Sequence, residues 1–124
     1  MVVGLGMDVI EIARVRRALR NQHFLQRVYT PAEIAYCEAR GKGRVASYAA
    51  RFAAKEAALK ALGTGLRAGT LQEVEVQNDV LGKPCLFFYG VFQAKIQALG
   101  ATRAFLSLTH AQDYAAATCI LEQI

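Results

Sequence analysis

The stretch RFAAKEAALKALGTG at residues 51–65 constrains the fold of this chain more than any other segment. Alanine and leucine are strong helix formers. Gly63 stands where such a helix would end, since glycine adopts the left-handed conformation of a helix C-terminus without a steric penalty. We therefore predict a long helix over residues 45–62 that ends at Gly63.

Glu56 is out of place on this predicted helix. At 3.6 residues per turn, its neighbours on the helix surface are mostly apolar: Ala49, Phe52, Ala53, Leu59 and Lys60. A carboxylate is rarely buried without a partner, because removing its charge from water costs several kcal/mol. Either a cation meets Glu56 on this face, or the helix is less buried than its composition indicates.

Composition narrows the class of protein. The chain has 124 residues, 54% of them apolar, and no apolar run near the ~20 residues that span a membrane. We therefore predict one soluble domain over residues 1–124, with apolar surface to spare for a subunit interface. The three cysteines fit neither a metal motif nor a disulfide framework, so we expect a reducing, cytoplasmic setting and no signal peptide. The net charge of +5 favours an anionic partner, which could be nucleic acid, a phosphorylated small molecule or an acidic protein.

Helices and strands are segregated along the chain. Strands are predicted at residues 2–12, around residues 74–76, and at residues 85–89, 104–109 and 114–121; helices are predicted at residues 13–20, 30–40, 45–62 and 91–99. The best helix start is Thr30-Pro31-Ala32-Glu33, a capping box with proline in the first turn. His23 is predicted to lie in a surface loop. This order predicts an α+β fold in which a mostly antiparallel sheet packs against the long helix.

The first predicted strand carries an unusual face. Because side chains alternate along a strand, Gly4, Gly6, Asp8 and Ile10 share one side. Two glycines beside an aspartate predict open space around its carboxylate, as a ligand site requires. Asp8 is thus a second carboxylate of interest.

Asp8 and Glu56 are the candidate metal ligands. Hard oxygen ligands without clustered histidine or cysteine favour magnesium over zinc. Magnesium takes one or two protein carboxylates and completes its shell with water and substrate phosphate oxygens. The alternative is that Asp8 is an exposed residue and Glu56 pairs with Lys60, because the sequence does not show that the two carboxylates are close.

Several other residues could bind an anion. Three cations of the long helix could be phosphate ligands or form a solvated basic face: Arg51, Lys55 and Lys60. The segment Gly63-Thr64-Gly65 could cradle a phosphate with its backbone amides, or simply cap the helix. His110, where a strand meets a turn, could donate to an anionic ligand or bond its own backbone. No serine–histidine–aspartate order or cysteine–histidine pair is evident, so nucleophilic catalysis by the protein is not indicated.

Taken together, these segments resemble the holo-acyl-carrier-protein synthase family of 4′-phosphopantetheinyl transferases. The similarity runs in order through GLGMDVIEI at residues 4–12, FLQRVYT at residues 24–30, RFAAKEA at residues 51–57 and KALGTG at residues 60–65. It continues through GKP at residues 82–84, SLTH at residues 107–110 and DYAAA at residues 113–117. The first and third blocks, at this separation in so short a chain, are the most specific.

The resemblance implies transfer of the 4′-phosphopantetheine arm from coenzyme A to a serine of an apo acyl carrier protein, with release of 3′,5′-ADP, in fatty acid or polyketide biosynthesis. It places Asp8 and Glu56 on a magnesium ion that also takes a diphosphate oxygen of coenzyme A. Lys60 and His110 would lie near that diphosphate as catalytic residues. The serine proton would pass to Glu56 or to a water held by the metal.

Further site residues follow from the same resemblance. It implies that coenzyme A is bound by residues of the long helix and of three later segments: Arg51, Lys55, Gly63, Thr64, Gly65, Lys83, Pro84 and Thr109. Arg14 and Arg20 would meet the acidic carrier protein. The resemblance also implies a homotrimer with each active site between two subunits, which would account for the spare apolar surface.

Two rival functions remain open on the sequence alone. A basic nucleic-acid-binding module would use the arginines of residues 14–27 with Tyr29 and Tyr36, but it predicts interleaved aromatic residues or a reading helix, and it leaves Glu56 unexplained. A non-catalytic coenzyme A-binding subunit would keep the phosphate ligands without needing both carboxylates. We therefore favour the magnesium-dependent transferase, with no nucleic-acid or membrane partner.

Overall fold

The strands and helices of the chain form an α+β fold. The computed structural model describes residues 1–64 and 69–124. Its strands are β1 (Val2–Glu11), β2 (Val74–Asn78), β3 (Pro84–Phe88), β4 (Arg103–His110) and β5 (Tyr114–Glu122). Its helices are α1 (Ile12–Ala18), α2 (Gln22–Val28), α3 (Pro31–Glu38), α4 (Arg44–Leu62) and α5 (Gly90–Leu99). None of these described helices is long and apolar enough to cross a membrane. The predicted fold class is confirmed.

The main sheet is antiparallel, with its strands in the order β1–β5–β4. Its register sets Asp8 of β1 beside Ala117 of β5, and Ala117 beside Leu108 of β4. Helix α4 packs across this face of the sheet, so these three residues lie under it from one edge to the other. A second antiparallel sheet, β2–β3, contacts the side of α4 that carries Lys55.

Helix α4 approaches β1 closely because two glycines face it. A Cβ atom on Gly6 would overlap the carbonyl oxygen of Ala57, and one on Gly4 would overlap that of Ala61. The prediction that these glycines open space for a ligand is therefore wrong, since the backbone of α4 fills that space. Their effect is to bring the polar side chains of α4 close to those of β1.

The helix ends follow the predicted caps. At the start of α3, the Thr30 hydroxyl accepts a hydrogen bond from the Glu33 amide (3.2 Å) and the Glu33 carboxylate accepts one from the Thr30 amide (2.8 Å). Gly63 follows α4 in the left-handed conformation at φ 73°, and its N–H lies 3.0 Å from the carbonyl oxygen of Lys60. Both predicted caps are confirmed.

Helix α2 is the element that the sequence pattern does not predict. His23 lies in its first turn, where its backbone N–H donates to the side chain of Asn21 at 2.9 Å. The prediction of a loop at His23 is therefore wrong, although the residue is exposed as expected. The helix is only seven residues long, and the Phe24 ring packs 5.9 Å from that of Phe52. Short helices depend on such tertiary packing, which local propensity does not report.

Candidate active site

Asp8 and Lys60 form an ion pair on one flank of helix α4. Asp8 faces α4 from β1, and the Lys60 ammonium lies 3.2 Å from its carboxylate. Lys60 Nζ also donates to the backbone carbonyl of Met7 at 3.0 Å. The Lys60 side chain is 57% exposed and that of Asp8 18% exposed. Lys60 thus pairs with a neighbouring strand, which differs from the alternative in which it pairs with Glu56 on its own helix.

Glu56 is the less satisfied carboxylate of this flank. Burial raises the pKa of Glu56 above its ordinary value, the nearby negative charge of Asp8 raises that pKa further, and Lys60 lowers it. Asp8 contacts Lys60, which stands one helical turn after Glu56, so the two carboxylates lie on the same flank of α4. Within residues 1–64 and 69–124, no hydrogen bond to the Glu56 carboxylate is present.

The donor set of this flank fits a hard divalent cation. Two carboxylates that disfavour each other's charge are stabilised by a cation between them. Asp8 and Glu56 supply the one or two carboxylates that magnesium takes from a protein. The described residues contain no group of three or more His, Cys, Asp or Glu side chains that could hold a metal. A magnesium ion held by Asp8 and Glu56 would therefore complete its shell with water or substrate oxygens.

A cleft of about 440 Å³ lies on the opposite flank of α4. It is bounded by α3, α4, β4 and the turn between β2 and β3, and its lining includes Tyr36, Arg40, Arg51, Asn78, Pro84 and His110. Asp8, Glu56 and Lys60 do not line it. The separation follows from helix geometry, because Arg51 and Glu56 leave α4 ~140° apart.

Arg51 is fixed in the wall of this cleft by two contacts. Its guanidinium carbon lies 4.0 Å from the centre of the Tyr36 ring, and Nη2 donates to the side-chain oxygen of Asn78 at 2.5 Å. The residue is only 3% exposed, yet its Nε is buried without a hydrogen-bond partner in the described structure. A buried, unpaired N–H costs free energy.

Two more of the predicted residues lie at the same cleft. His110 ends β4 and lines the cleft together with Pro84. Lys83, which precedes Pro84 in the turn, and Thr109, which precedes His110, are both exposed, and neither lines the cleft within this chain. The structure therefore brings together part of the predicted coenzyme A-binding set.

Lys55, predicted to bind coenzyme A, lies in the core instead. Its ammonium is fully buried and donates to Glu33 Oε1 (2.8 Å) and to the carbonyl oxygens of Leu71 (2.9 Å) and Val74 (2.7 Å). An ammonium has three donors, so none is left for a ligand. The structure contradicts the prediction because Lys55 leaves α4 on the side that faces α3 and β2, away from both the cleft and the carboxylates.

The end of α4 adds a cation that sequence reasoning did not single out. Lys95 of α5 donates to the Thr64 hydroxyl at 3.0 Å, just beyond Gly63. This contact puts a positive charge next to the segment that is predicted to cradle a phosphate. Gly65, the last residue of that predicted segment, lies outside the described residues.

The first two helices present a basic surface. Helix α1 is anchored by its buried residues Ile12 and Val15. The arginines of this region are all exposed: Arg14, Arg16, Arg17, Arg20 and Arg27. The two residues predicted to meet a carrier protein are therefore accessible.

The scaffold of the cleft is the part that sequence reasoning missed. Tyr36 and Asn78 hold Arg51, but they come from α3 and from the end of β2. Tyr36 follows a well-capped helix start by about one turn, which predicts a helix but not the ring's partner. No signal in the sequence indicates that either residue contacts Arg51.

Known proteins similar to this chain identify its family. The sequence profile of the 4′-phosphopantetheinyl transferase superfamily matches residues 4–119. A holo-[acyl-carrier-protein] synthase of Koribacter versatilis is 45% identical over 98% of this chain and 99% of its own length. The crystal structure of holo-[acyl-carrier-protein] synthase from Neisseria meningitidis is similar with a TM-score of 0.89 at 34% identity, over 99% of this chain and 100% of that one. A holo-(acyl-carrier-protein) synthase from Bacillus anthracis, in complex with CoA (3′,5′-ADP), has a TM-score of 0.82 at 33% identity, over 100% and 99% of the two chains. This chain belongs to the 4′-phosphopantetheinyl transferase superfamily.

Proposed function

We propose that the chain transfers 4′-phosphopantetheine from coenzyme A to a serine of an apo acyl carrier protein and releases 3′,5′-ADP. The similar proteins described above are holo-acyl-carrier-protein synthases, and one was crystallised with coenzyme A. The observation that carries the proposal is the pair of carboxylates on one flank of α4, where Asp8 contacts Lys60 and where burial, and after it the charge of Asp8, raise the pKa of Glu56. A subunit that only bound coenzyme A would need phosphate ligands but not this pair.

The transfer breaks one bond of the coenzyme A diphosphate and forms one to the carrier. The serine Oγ attacks the phosphorus that bears the pantetheine arm, the bond from that phosphorus to the bridging oxygen breaks, and 3′,5′-ADP leaves with the electron pair. A magnesium ion held by Asp8 and Glu56 would neutralise charge on the diphosphate. The serine proton passes to Glu56 or to a water beside it.

The cations around the two flanks have separate tasks in this proposal. Lys60, exposed next to Asp8, stabilises the negative charge that develops on the leaving oxygen. His110 donates to the diphosphate, and Arg51 binds another anionic group of coenzyme A from the wall of the cleft. The remaining coenzyme A contacts are assigned to the exposed segments that contain Gly63, Thr64, Lys83, Pro84 and Thr109, with Gly65 kept as a prediction from the sequence.

Each active site forms between two subunits of a homotrimer in this proposal. The carboxylates and the cleft with His110 lie on opposite flanks of the same helix. One coenzyme A could therefore use the carboxylates of one subunit and the cleft of the next. In this arrangement the carboxylates and the cleft both contact the same coenzyme A molecule.

An exposed apolar surface supports the trimer. On the sheet face away from α4, the side chains Leu5, Met7, Val9 and Phe105 are 65%, 59%, 54% and 42% exposed. Leu5 and Phe105 flank Ile120 in one row across the sheet. Such a patch on a small protein indicates a protein–protein contact. The exposed Thr109 lies on the same face, in the row across the sheet that contains Val9 and Ala116.

The shared active site can be tested by mixing two inactive variants. In co-expressed Glu56→Gln and His110→Ala chains, a site that takes Glu56 from one chain and His110 from the other is intact. Random assembly of a closed ring then restores about a quarter of the wild-type activity. No recovery, in trimers that light scattering shows to contain both chains, would place each site within one chain.

The basic surface of α1 is assigned to the carrier protein. Arg14 and Arg20 are exposed and would attract an acidic partner. Replacing both with glutamine should raise KM for the carrier about tenfold, most strongly at low salt, and leave KM for coenzyme A unchanged. We place this reaction in the cytoplasm, where the free thiols of Cys37, Cys85 and Cys119 would persist.

One assay tests the proposed function. The protein is incubated with coenzyme A, magnesium and an apo acyl carrier protein, and the carrier is weighed by mass spectrometry. The carrier should gain one phosphopantetheine, and no gain should occur with EDTA or with a carrier whose serine is replaced by alanine. If the carrier gains no mass where a known transferase modifies it, the proposed function is wrong.

A further inference from the structure

Tyr36 has a place in the cleft that the reaction described above does not use. Its ring lies under the Arg51 guanidinium at 4.0 Å, and the guanidinium of Arg40 lies 5.3 Å from the centre of the same ring. One aromatic side chain therefore contacts two cations. Tyr36, Arg40 and Arg51 all line the cleft.

The Arg51 guanidinium depends on Tyr36 and Asn78 for its position. Arg51 is 3% exposed, so water does not solvate most of its charge. Among the described residues no carboxylate forms an ion pair with it within 4.0 Å, and its Nε is unpaired. A cation over a ring face is stabilised by the ring's negative face, most strongly when water is excluded. The ring thus substitutes for the carboxylate that usually accompanies a buried arginine.

The choice of a ring over a carboxylate has a consequence for binding. A carboxylate would neutralise Arg51 and occupy the N–H groups that a phosphate needs. A ring stabilises the cation without accepting those hydrogen bonds along the guanidinium edge. The positive charge of Arg51 therefore remains for an anionic ligand.

We propose that Tyr36 is a positioning residue that holds Arg51 over its ring, with Arg40 beside it, so that the two guanidinium groups bind an anionic group of coenzyme A in the cleft. This inference rests on the proposed function for the identity of the ligand. Tyr36 touches Arg51 rather than the reacting atoms, so its removal weakens coenzyme A binding and leaves the chemical step nearly unchanged.

Calorimetric titration with coenzyme A and with 3′,5′-ADP, without a carrier protein, measures this binding directly. Tyr36→Met fills a similar volume without a ring and should weaken binding of both ligands about tenfold. Tyr36→Phe keeps the ring and should bind within about twofold of the wild type. In turnover, Tyr36→Met should raise KM for coenzyme A by the same factor, while kcat and KM for the carrier change less than about twofold.

A double-mutant cycle tests whether Tyr36 acts through Arg51. In an Arg51→Met background, Tyr36→Met should cause at most a twofold further loss, because the cation it positions is already gone. Three outcomes would each overturn the proposal. They are unchanged affinity for coenzyme A in folded Tyr36→Met, an equal loss of affinity in Tyr36→Phe, and additive losses of affinity in the double variant. If Tyr36→Met does not fold, Asn78→Ser is used in its place, because it removes the other contact of Arg51. This variant should also bind coenzyme A about tenfold more weakly, and an unchanged affinity would overturn the proposal.

The two proposals fail in different ways. If the wild type modifies the carrier but Tyr36→Met binds coenzyme A normally, the role of Tyr36 is wrong and the transferase stands. If the wild type binds coenzyme A and Tyr36→Met does not, but no carrier is modified, the transferase is wrong and the role of Tyr36 stands.

Discussion

Lys55 and Glu56 are neighbours on one alanine-rich helix, and the protein treats their charges in opposite ways. The Lys55 ammonium is completely buried, and the chain itself uses all three of its donors. Glu56 is half-buried beside a second carboxylate, and burial and Asp8 both raise its pKa. A buried charge whose hydrogen-bond partners all come from the chain stabilises the fold. A charge with incomplete pairing is a candidate for binding a ligand.

Lys55 and Glu56 have different surroundings because they are consecutive residues and leave the helix in different directions. Consecutive residues leave a helix ~100° apart, so Lys55 points to α3 and β2 while Glu56 points to the edge of β1. The contacts of Lys55 join α4 to Glu33, which also accepts a hydrogen bond from the amide of Val76 at 2.8 Å. The Lys55 side thereby fixes the helix, and in the proposed function the Glu56 side carries the chemistry.

Replacing Glu56 has the largest expected effect. Glu56→Gln removes one of the two carboxylates available to magnesium and should lower kcat/KM for transfer by more than about a thousandfold, which corresponds to ~4 kcal/mol of transition-state stabilisation. The rate is measured by mass spectrometry of the carrier under single-turnover conditions.

Glu38→Gln is the matched control for that substitution. Glu38 is an exposed carboxylate that pairs with Arg44 on the outer surface, and its replacement should leave transfer within about twofold of the wild type. Circular dichroism should show both variants folded. Activity retained in Glu56→Gln would contradict its role and remove the contrast with Lys55.

Replacing Lys55 has the next largest effect, and it falls on stability. Lys55→Met leaves the Glu33 carboxylate buried without its cation and should lower the free energy of unfolding by about 3–5 kcal/mol. Lys60→Met, on the exposed side of the same helix, should lower it by less than about 1 kcal/mol. Urea titration compares the two variants, and similar losses would show that the buried pair has no special role.

The smallest expected effect is a gain in stability when Glu56 is neutralised. Because the folded state raises the pKa of Glu56 above its ordinary value near 4.5, the folded state holds this proton more tightly than the unfolded state. The contribution of Glu56 to the stability of the metal-free wild type therefore falls as pH rises from 4.5 through the raised pKa. Glu56→Gln lacks this slope.

Urea titrations in EDTA at several pH values measure that gain. At pH 7 the Glu56→Gln variant should be more stable than the wild type by up to about 1 kcal/mol, the scale of interactions between partly exposed charges. The difference should vanish near pH 4. A variant that is less stable at pH 7 would mean that the charge of Glu56 is already satisfied within the chain.

Much of the fold could be predicted from local sequence signals. The capping box at Thr30 and the glycine at the end of α4 predict the helix ends directly, because few residue types are favoured at those positions. The anomaly at Glu56 was visible for a similar reason, because helix periodicity places its neighbours. Each of these signals lies within a few residues of what it predicts.

The missed features depend on contacts between distant segments. Nothing near Lys55 indicates that Glu33 will reach it, so its assignment to the ligand site was wrong. Gly4 and Gly6 share a strand face with Asp8, but the sequence does not show that a helix backbone fills the space above them. Helix α2 is stabilised by packing of Phe24 against Phe52, again a long-range contact.

Metal affinity tests the contrast between Lys55 and Glu56 most directly. Mn²⁺ takes the same oxygen ligands as magnesium, and electron paramagnetic resonance measures its binding in the presence of coenzyme A without any turnover. The wild type and Glu38→Gln should bind Mn²⁺ with equal affinity, and Glu56→Gln should bind it at least about tenfold more weakly. Equal affinity in folded Glu56→Gln would contradict the account, because Glu56 would then not be a metal ligand.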